Sequence, residues 1–241
     1  MKYFFVTGTS KGIGFALVKS LLEKNENRVV GFSRQNEIKH DHFKHISVDL
    51  ADISVVKEQV NSYFEVHGEP EQVTLINNAG TLGEVGYVGE LTSDSIADVY
   101  NLNLIAPAIL MNAFVEKFKA GTSKMLIVNI SSGAGSYPVD GWSGYCATKA
   151  GLNMLSEVVA SEQKIRGNNV HVFSLAPGIV DTGMQEKIRS LSADKFSGVE
   201  KFVKYKENSD LASSETVAGK IMKLLEHPQD FKDVLQDVRS F

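Results

Sequence analysis

At 241 residues, with 43% hydrophobic and 22% charged side chains and 20 Gly against 5 Pro, the chain has a globular composition, which excludes a disordered or fibrous protein. Lys and Arg number 25 against 29 Asp and Glu, a net charge of −4, and the cations are scattered, which argues against a nucleic-acid partner. The single cysteine, Cys146, excludes an internal disulfide framework, the apolar run at residues 3–6 is too short for a signal peptide, and no stretch reads as a membrane span, so a cytoplasmic protein is expected.

In chain order, residues 3–6 form an apolar run ending in Thr7-Gly8, followed by a helical pattern at Ile13, Ala16, Leu17, Val18, Leu21 and Leu22. Residues 28–32 and 45–48 read as the second and third strands, 53–67 as a helix and 73–76 as the fourth strand. A long helix is expected over 92–119, capped by Thr92 or Ser93, then a strand at 124–130, a helix at 144–166 and a strand at 170–175. A helix over 214–226 and a last strand at 234–238 close the chain, while 179–213 reads as a polar, irregular insertion that serves as a lid or binding loop. Short apolar runs separated by helices predict a doubly wound, mostly parallel α/β sheet. With no linker or repeat, residues 1–241 are expected to be one domain.

The first strand enters Gly8-Thr9-Ser10-Lys11-Gly12-Ile13-Gly14, where a helix opens. Glycines at such a turn let the backbone approach a pyrophosphate at the helix N-terminus, although a glycine can also simply relieve strain there. Further signals stand where a ligand crossing the strand ends would pass. They are Asp49-Leu50 after the third strand, Asn78-Ala79-Gly80 after the fourth, and Pro177-Gly178-Ile179-Val180-Asp181-Thr182 after the sixth. Asn103 lies in the long helix, Ser132 after the fifth strand, and Tyr145 and Lys149 at the start of the next helix.

In this order, the T-G-x-x-x-G-x-G, N-N-A-G, N, S, Y-x-x-x-K and P-G motifs resemble the short-chain dehydrogenase/reductase family, over residues 7–182. The resemblance implies a single Rossmann domain with a seven-stranded parallel sheet. It also implies a cofactor site of Gly8, Ser10, Lys11, Gly12, Ile13, Gly14, Arg34, Asp49, Leu50, Asn78, Ala79, Gly80, Tyr145, Lys149, Pro177, Gly178, Val180 and Thr182. Asp49 would meet the adenine, and Val180 and Thr182 the nicotinamide carboxamide.

An NAD site usually places an acid at the end of the second strand for the ribose 2′-hydroxyl. Here Ser33-Arg34 stands there, and Arg34 with Lys11 suits a 2′-phosphate, which points to NADP(H). Hydride transfer to a ketone needs a proton donor beside the oxygen. Tyr145 is the candidate, with Lys149 one turn on, whose ammonium is expected to lower the phenol's pKa. The resemblance gives Lys149 the nicotinamide ribose, Ser132 the carbonyl oxygen, as an oxyanion donor, and Asn103 a proton-relay water.

Gly141-Trp142-Ser143-Gly144-Tyr145 and Asp181-Thr182-Gly183-Met184 further resemble the sepiapterin reductase branch, which includes bacterial benzil reductases. This implies reduction of one ketone of a vicinal diketone. Trp142, Tyr137 and Met184 would flank a flat aromatic substrate, and Asp237 lies in a tail comparable to that which anchors a pterin in sepiapterin reductases. Trp142 could equally pack the helix start. The alternatives are a 3-oxoacyl-carrier reductase, for which no basic cluster stands out, and a non-catalytic NADP(H)-sensing protein, which would have lost the tyrosine or lysine. His40, His42 and His45 crowd the segment before the third strand, but a structural metal site needs four ligands and none is expected. Cys146 is expected to be a small packing residue. The resemblance implies a homodimer or homotetramer through the long helices.

Overall fold

A computed structural model describes residues 1–121 and 123–241. Seven strands, β1 (Lys2–Thr7), β2 (Asn27–Ser33), β3 (Phe43–Ser47), β4 (Gln72–Asn77), β5 (Lys124–Ile130), β6 (Val170–Ala176) and β7 (Leu235–Asp237), form one sheet in the order β3-β2-β1-β4-β5-β6-β7. Every pairing is parallel. The fold is therefore the expected single Rossmann-like α/β domain, and the sheet is wholly parallel rather than mostly so. Alternate β1 residues explain the continuous apolar run. Tyr3 and Phe5 enter the core on one face, with α2 (Ile53–Tyr63) and α4 (Ala106–Phe118), while Phe4 and Val6 enter the other, with α1 (Gly12–Leu22) and α8 (Ser214–Glu226). The strand order reverses between β1 and β4, which opens a crevice at the carboxyl ends of these strands.

The stretch expected as one helix over 92–119 is divided. Thr92 caps α3 (Ser93–Tyr100) by accepting from Ser95 N, a π-helical turn follows at Asn101–Ile105, and α4 continues. Pro107 has no N–H to give the preceding turn, and the wider turn accommodates it: Ala106 N donates to Asn101 O, five residues back. The continuous run Ser93–Phe118 spans 26 residues and is long and apolar enough to cross a membrane by length and composition, contrary to the sequence expectation. In the fold it packs against α2, the sheet and α5 (Ser143–Ile165).

Three further boundaries differ from expectation. α2 stops at Tyr63 because Phe64 leaves helical geometry to bury its ring, at 1% exposure. β3 runs from Phe43 to Ser47 rather than over 45–48, which places His45 at its centre, with its Nε2 against Ser33 Oγ at 3.1 Å. Residues 179–213 are not irregular. They carry two short helices, α6 (Gly183–Arg189) and α7 (Val199–Glu207), whose amphipathic patterns are too brief to stand out among polar neighbours. The two ends of this lid are joined, Ala212 N donating to Ile179 O at 3.0 Å and Asp181 N to Ala212 O at 2.9 Å. Asp181 also pairs with Lys206 of α7 at 2.6 Å and Arg189 of α6 at 3.7 Å.

Candidate active site

A cavity of about 1310 Å³ runs across the carboxyl ends of the strands and under the lid. Its nucleotide half is built on close backbone approach. Gly8 has φ +72°, and a Cβ there would lie 2.9 Å from Ala79 Cα; a Cβ on Gly14 would lie 2.3 Å from Gly8 O. Asn78 ties the two loops together, its Nδ2 donating to Thr7 O at 2.9 Å and Gly8 O at 3.1 Å. Thr7 Oγ1 answers by accepting from Asn78 N and Ala79 N, both at 2.9 Å. Thr7 is buried structural support that sequence reasoning did not single out. At α1 the N-cap Lys11 makes no side-chain cap, so the first amides of the helix face the crevice uncapped, which suits a pyrophosphate.

Arg34 lies on the cavity beyond β2, with its side chain 78% exposed and its Nη1 3.6 Å from Asp49 Oδ2. The two expected adenosine-end residues are thus partners of each other. Such an exposed pair is weak, and a phosphate dianion competes readily for the guanidinium. Ser10, Lys11, Gly12, Ile13, Leu50, Ala79, Gly80, Pro177, Gly178, Val180 and Thr182 line the same cavity; Gly14 lies behind it.

The other half gathers Ser132, Tyr145 and Lys149 on one wall. Tyr145 and Lys149 are 7% and 4% exposed, and the Lys149 ammonium sits 5.7 Å from the Tyr145 ring centre while donating to Ile130 O at 2.8 Å. Burial pushes Lys149 down to about 8. The Tyr145 phenol is pushed up by burial, with the neighbouring Ser132 hydroxyl opposing the rise. The lowering expected from Lys149 is not found: the Ser132 hydroxyl is what opposes the loss of water around the phenol. Asn103 is fully buried behind this wall, inside the π turn. It exchanges bonds with Thr81, accepting from N at 2.9 Å and donating to O at 2.8 Å, and donates to Thr148 Oγ1 at 3.3 Å. Gly80 keeps the space in front of it open: a Cβ there would meet Asn103 Oδ1 at 3.4 Å and Lys149 Nζ at 3.5 Å.

A set of polar residues behind the wall, unremarked in the sequence, fixes α5 against the strands. Asn153 Oδ1 accepts from Ser131 Oγ at 2.6 Å and Ser174 Oγ at 2.7 Å, and Asn129 links Asn77 to Ser156 at 2.8 Å each.

Trp142, Met184, Tyr137 and Asp237 also line the cavity. Trp142 and Tyr145 belong to an apolar cluster with Leu82, Val85, Ala134, Ile188 and Phe196, separate from the two cores on the sheet faces. The Asp237 carboxylate is already engaged: Arg239 Nε donates to Oδ1 at 2.9 Å and Nη2 to Oδ2 at 2.5 Å. Arg239 was not anticipated; its spacing from Asp237 is the only sequence signal. The Cys146 thiol is half-buried, and burial pushes its pKa up, in keeping with a packing role. Among the described residues no group of three or more His, Cys, Asp or Glu side chains is arranged to hold a metal.

A wholly parallel Rossmann sheet, with a glycine-lined nucleotide crevice leading to a buried Tyr and Lys, defines an oxidoreductase of the nicotinamide-dependent class. The chain belongs to the short-chain dehydrogenase family, whose description, short chain dehydrogenase, matches residues 2–192. It is similar to benzil reductase ((S)-benzoin forming) of Bacillus subtilis, at 35% identity over 100% of both chains. It is also similar to sepiapterin reductase of Rattus norvegicus, at 36% identity over 75% of this chain and 69% of the relative. The solved structure of 4-hydroxyisoleucine dehydrogenase complexed with NADH superposes with a TM-score of 0.80 at 26% identity, over 98% of this chain and 96% of that one.

Proposed function

We propose that this protein is an NADPH-dependent carbonyl reductase acting on one ketone of a vicinal diketone, with Tyr145 as proton donor. The observation that carries the reading is the wall of Ser132, Tyr145 and Lys149, side by side at the end of the nucleotide crevice and bordered by an aromatic pocket. Full-length similarity to a benzil reductase supports the substrate class.

The chain fits a nicotinamide dinucleotide by its glycine cradle and uncapped α1 amides. Arg34 and Lys11 would hold a 2′-phosphate, with no acid at the end of β2 to prefer a hydroxyl. The cofactor supplies the hydride. Ser132 would donate to the substrate oxygen and stabilise the charge that develops there. Tyr145 would give that oxygen its proton, while Lys149 would bind ribose hydroxyls and favour the phenolate left behind. Asn103 would hold the Thr81 loop and the relay behind Lys149 in place. Exposed Ile96, Tyr100, Ile105, Met154 and Val158 on the α3–α5 face support association into a homodimer or homotetramer.

The test is cofactor oxidation, NADPH and NADH in parallel, with benzil, sepiapterin and an acetoacetyl thioester. Diketone turnover with NADPH is expected, and Tyr145→Phe should lower kcat at least 100-fold while NADPH binding persists. Turnover of the thioester alone, an NADH preference, or an active Tyr145→Phe would each overturn the corresponding part.

A further inference from the structure

Trp142 immediately precedes α5 and lines the cavity three positions before Tyr145, so the two side chains share one face of the helix start. It is 6% exposed. Its ring meets Tyr145 edge-on with centroids 5.8 Å apart, and the lid residues Phe196 and Phe202 pack on it at 5.0 and 5.5 Å. Among the described residues no hydrogen-bond acceptor serves Nε1, although the atom is shut off from solvent. A buried indole N–H normally finds a partner, because leaving it unpaired costs free energy. A phenylalanine would fill this aromatic niche without stranding a donor, so packing alone does not account for the nitrogen.

Resting on the reading of the site as a diketone reductase, we propose that Trp142 determines specificity: Nε1–H donates to the substrate's second carbonyl oxygen. The reacting oxygen takes its hydrogen bonds from Ser132 and Tyr145. A vicinal dicarbonyl carries another acceptor on the adjoining carbon, whereas a simple aryl ketone leaves the indole donor unpaired. A site built to bond a substrate group rejects the analogue that lacks it. Phe196 and Phe202 must shift to admit the substrate ring, exchanging one aromatic contact for another while the stranded donor gains its acceptor.

The experiment compares kcat/KM for phenyl methyl diketone and for trifluoroacetophenone, with NADPH, in the wild type and Trp142→Phe. The diketone-to-monoketone ratio should fall about 10-fold in the variant, the worth of one neutral hydrogen bond. Thermal stability should hold or rise, because an unpaired buried donor has been removed. An unchanged ratio, with both activities falling together or neither falling, overturns the proposal and leaves Trp142 a packing residue. Trp142 is the only tryptophan, so its emission in the wild type gives a second measurement that does not depend on the variant folding. With NADP+ bound, the diketone should move the emission to longer wavelength and the monoketone should not; identical emission with both overturns the proposal. A wild type that turns over neither ketone defeats the reductase reading, and the emission then decides the hydrogen bond by itself.

Discussion

Lys149 is costly to bury and is nonetheless buried, at 4% exposure with a single backbone acceptor, Ile130 O. Its ammonium gives up its proton near pH 8 in the folded chain and near the ordinary 10.5 when unfolded. Between those values the unfolded chain holds more protons, so stability rises with pH across that window and is lowest, on this account, below 8. Lys149→Met should therefore stabilise the cofactor-free protein by about 3 kcal/mol at pH 7, and the gain should vanish by about pH 10.5. Urea unfolding of both proteins across that range checks it; a pH-independent difference would mean that shape rather than charge sets the cost. Tyr145 presents the converse, a phenol held protonated by burial until something nearby makes its anion affordable. That such a pair would stand together was readable from the Tyr-x-x-x-Lys spacing. That burial would dominate both groups was not, because burial depends on strands distant in sequence.

At the scale of the element, α5 carries Tyr145 and Lys149 on its first two turns and is held by its third. Asn153 stands one turn after Lys149 and receives both Ser131 and Ser174, which bind the helix to the ends of β5 and β6. Asn153→Ala should free the register of α5 and lower kcat about 10-fold with little change in KM, while Asn153→Ser should recover part of the loss. An equal rise of KM would instead indicate damage to the substrate pocket. β1, β2, β4, β5 and β6 were legible because each holds an apolar run bounded by polar residues or glycine, whereas β3 (FKHIS) and β7 (LQD) are mixed and their bounds shifted; the candidate site positions were legible because their motifs are local. The π turn within the Ser93–Phe118 run and the helices of the lid were not. A proline inside a helical pattern announces a perturbation without its form, and short amphipathic segments acquire a helical bias only from what they pack against.

Across the whole molecule the lid is closed at its base and tied to the body by several side chains, among them Lys187, which donates to Gly83 O at 2.6 Å, and Lys195, paired with Glu90 at 3.1 Å. Its ends meet in the Ile179–Ala212 backbone pairing. Its middle is caught by Asp140, which accepts from Ser197 N at 2.9 Å, Ser197 Oγ at 3.0 Å and Tyr87 OH at 3.2 Å. The Ser197 amide is the main reason that the Asp140 carboxyl lies below its usual range, so the catch persists in mild acid. Asp140→Ala should speed proteolytic cleavage between residues 190 and 198 and raise KM for the carbonyl substrate; unchanged cleavage would mean that the aromatic contacts hold the lid without it. The apolar cluster beneath the lid shares no residue with the cores on the two faces of the sheet. Inheritance can therefore act on them separately. Substitutions at Ala134, Ile188 or Phe196, which line the cavity, can retune which carbonyl compounds are accepted while the machinery of folding goes untouched, so descendants of this chain can change diet without changing architecture.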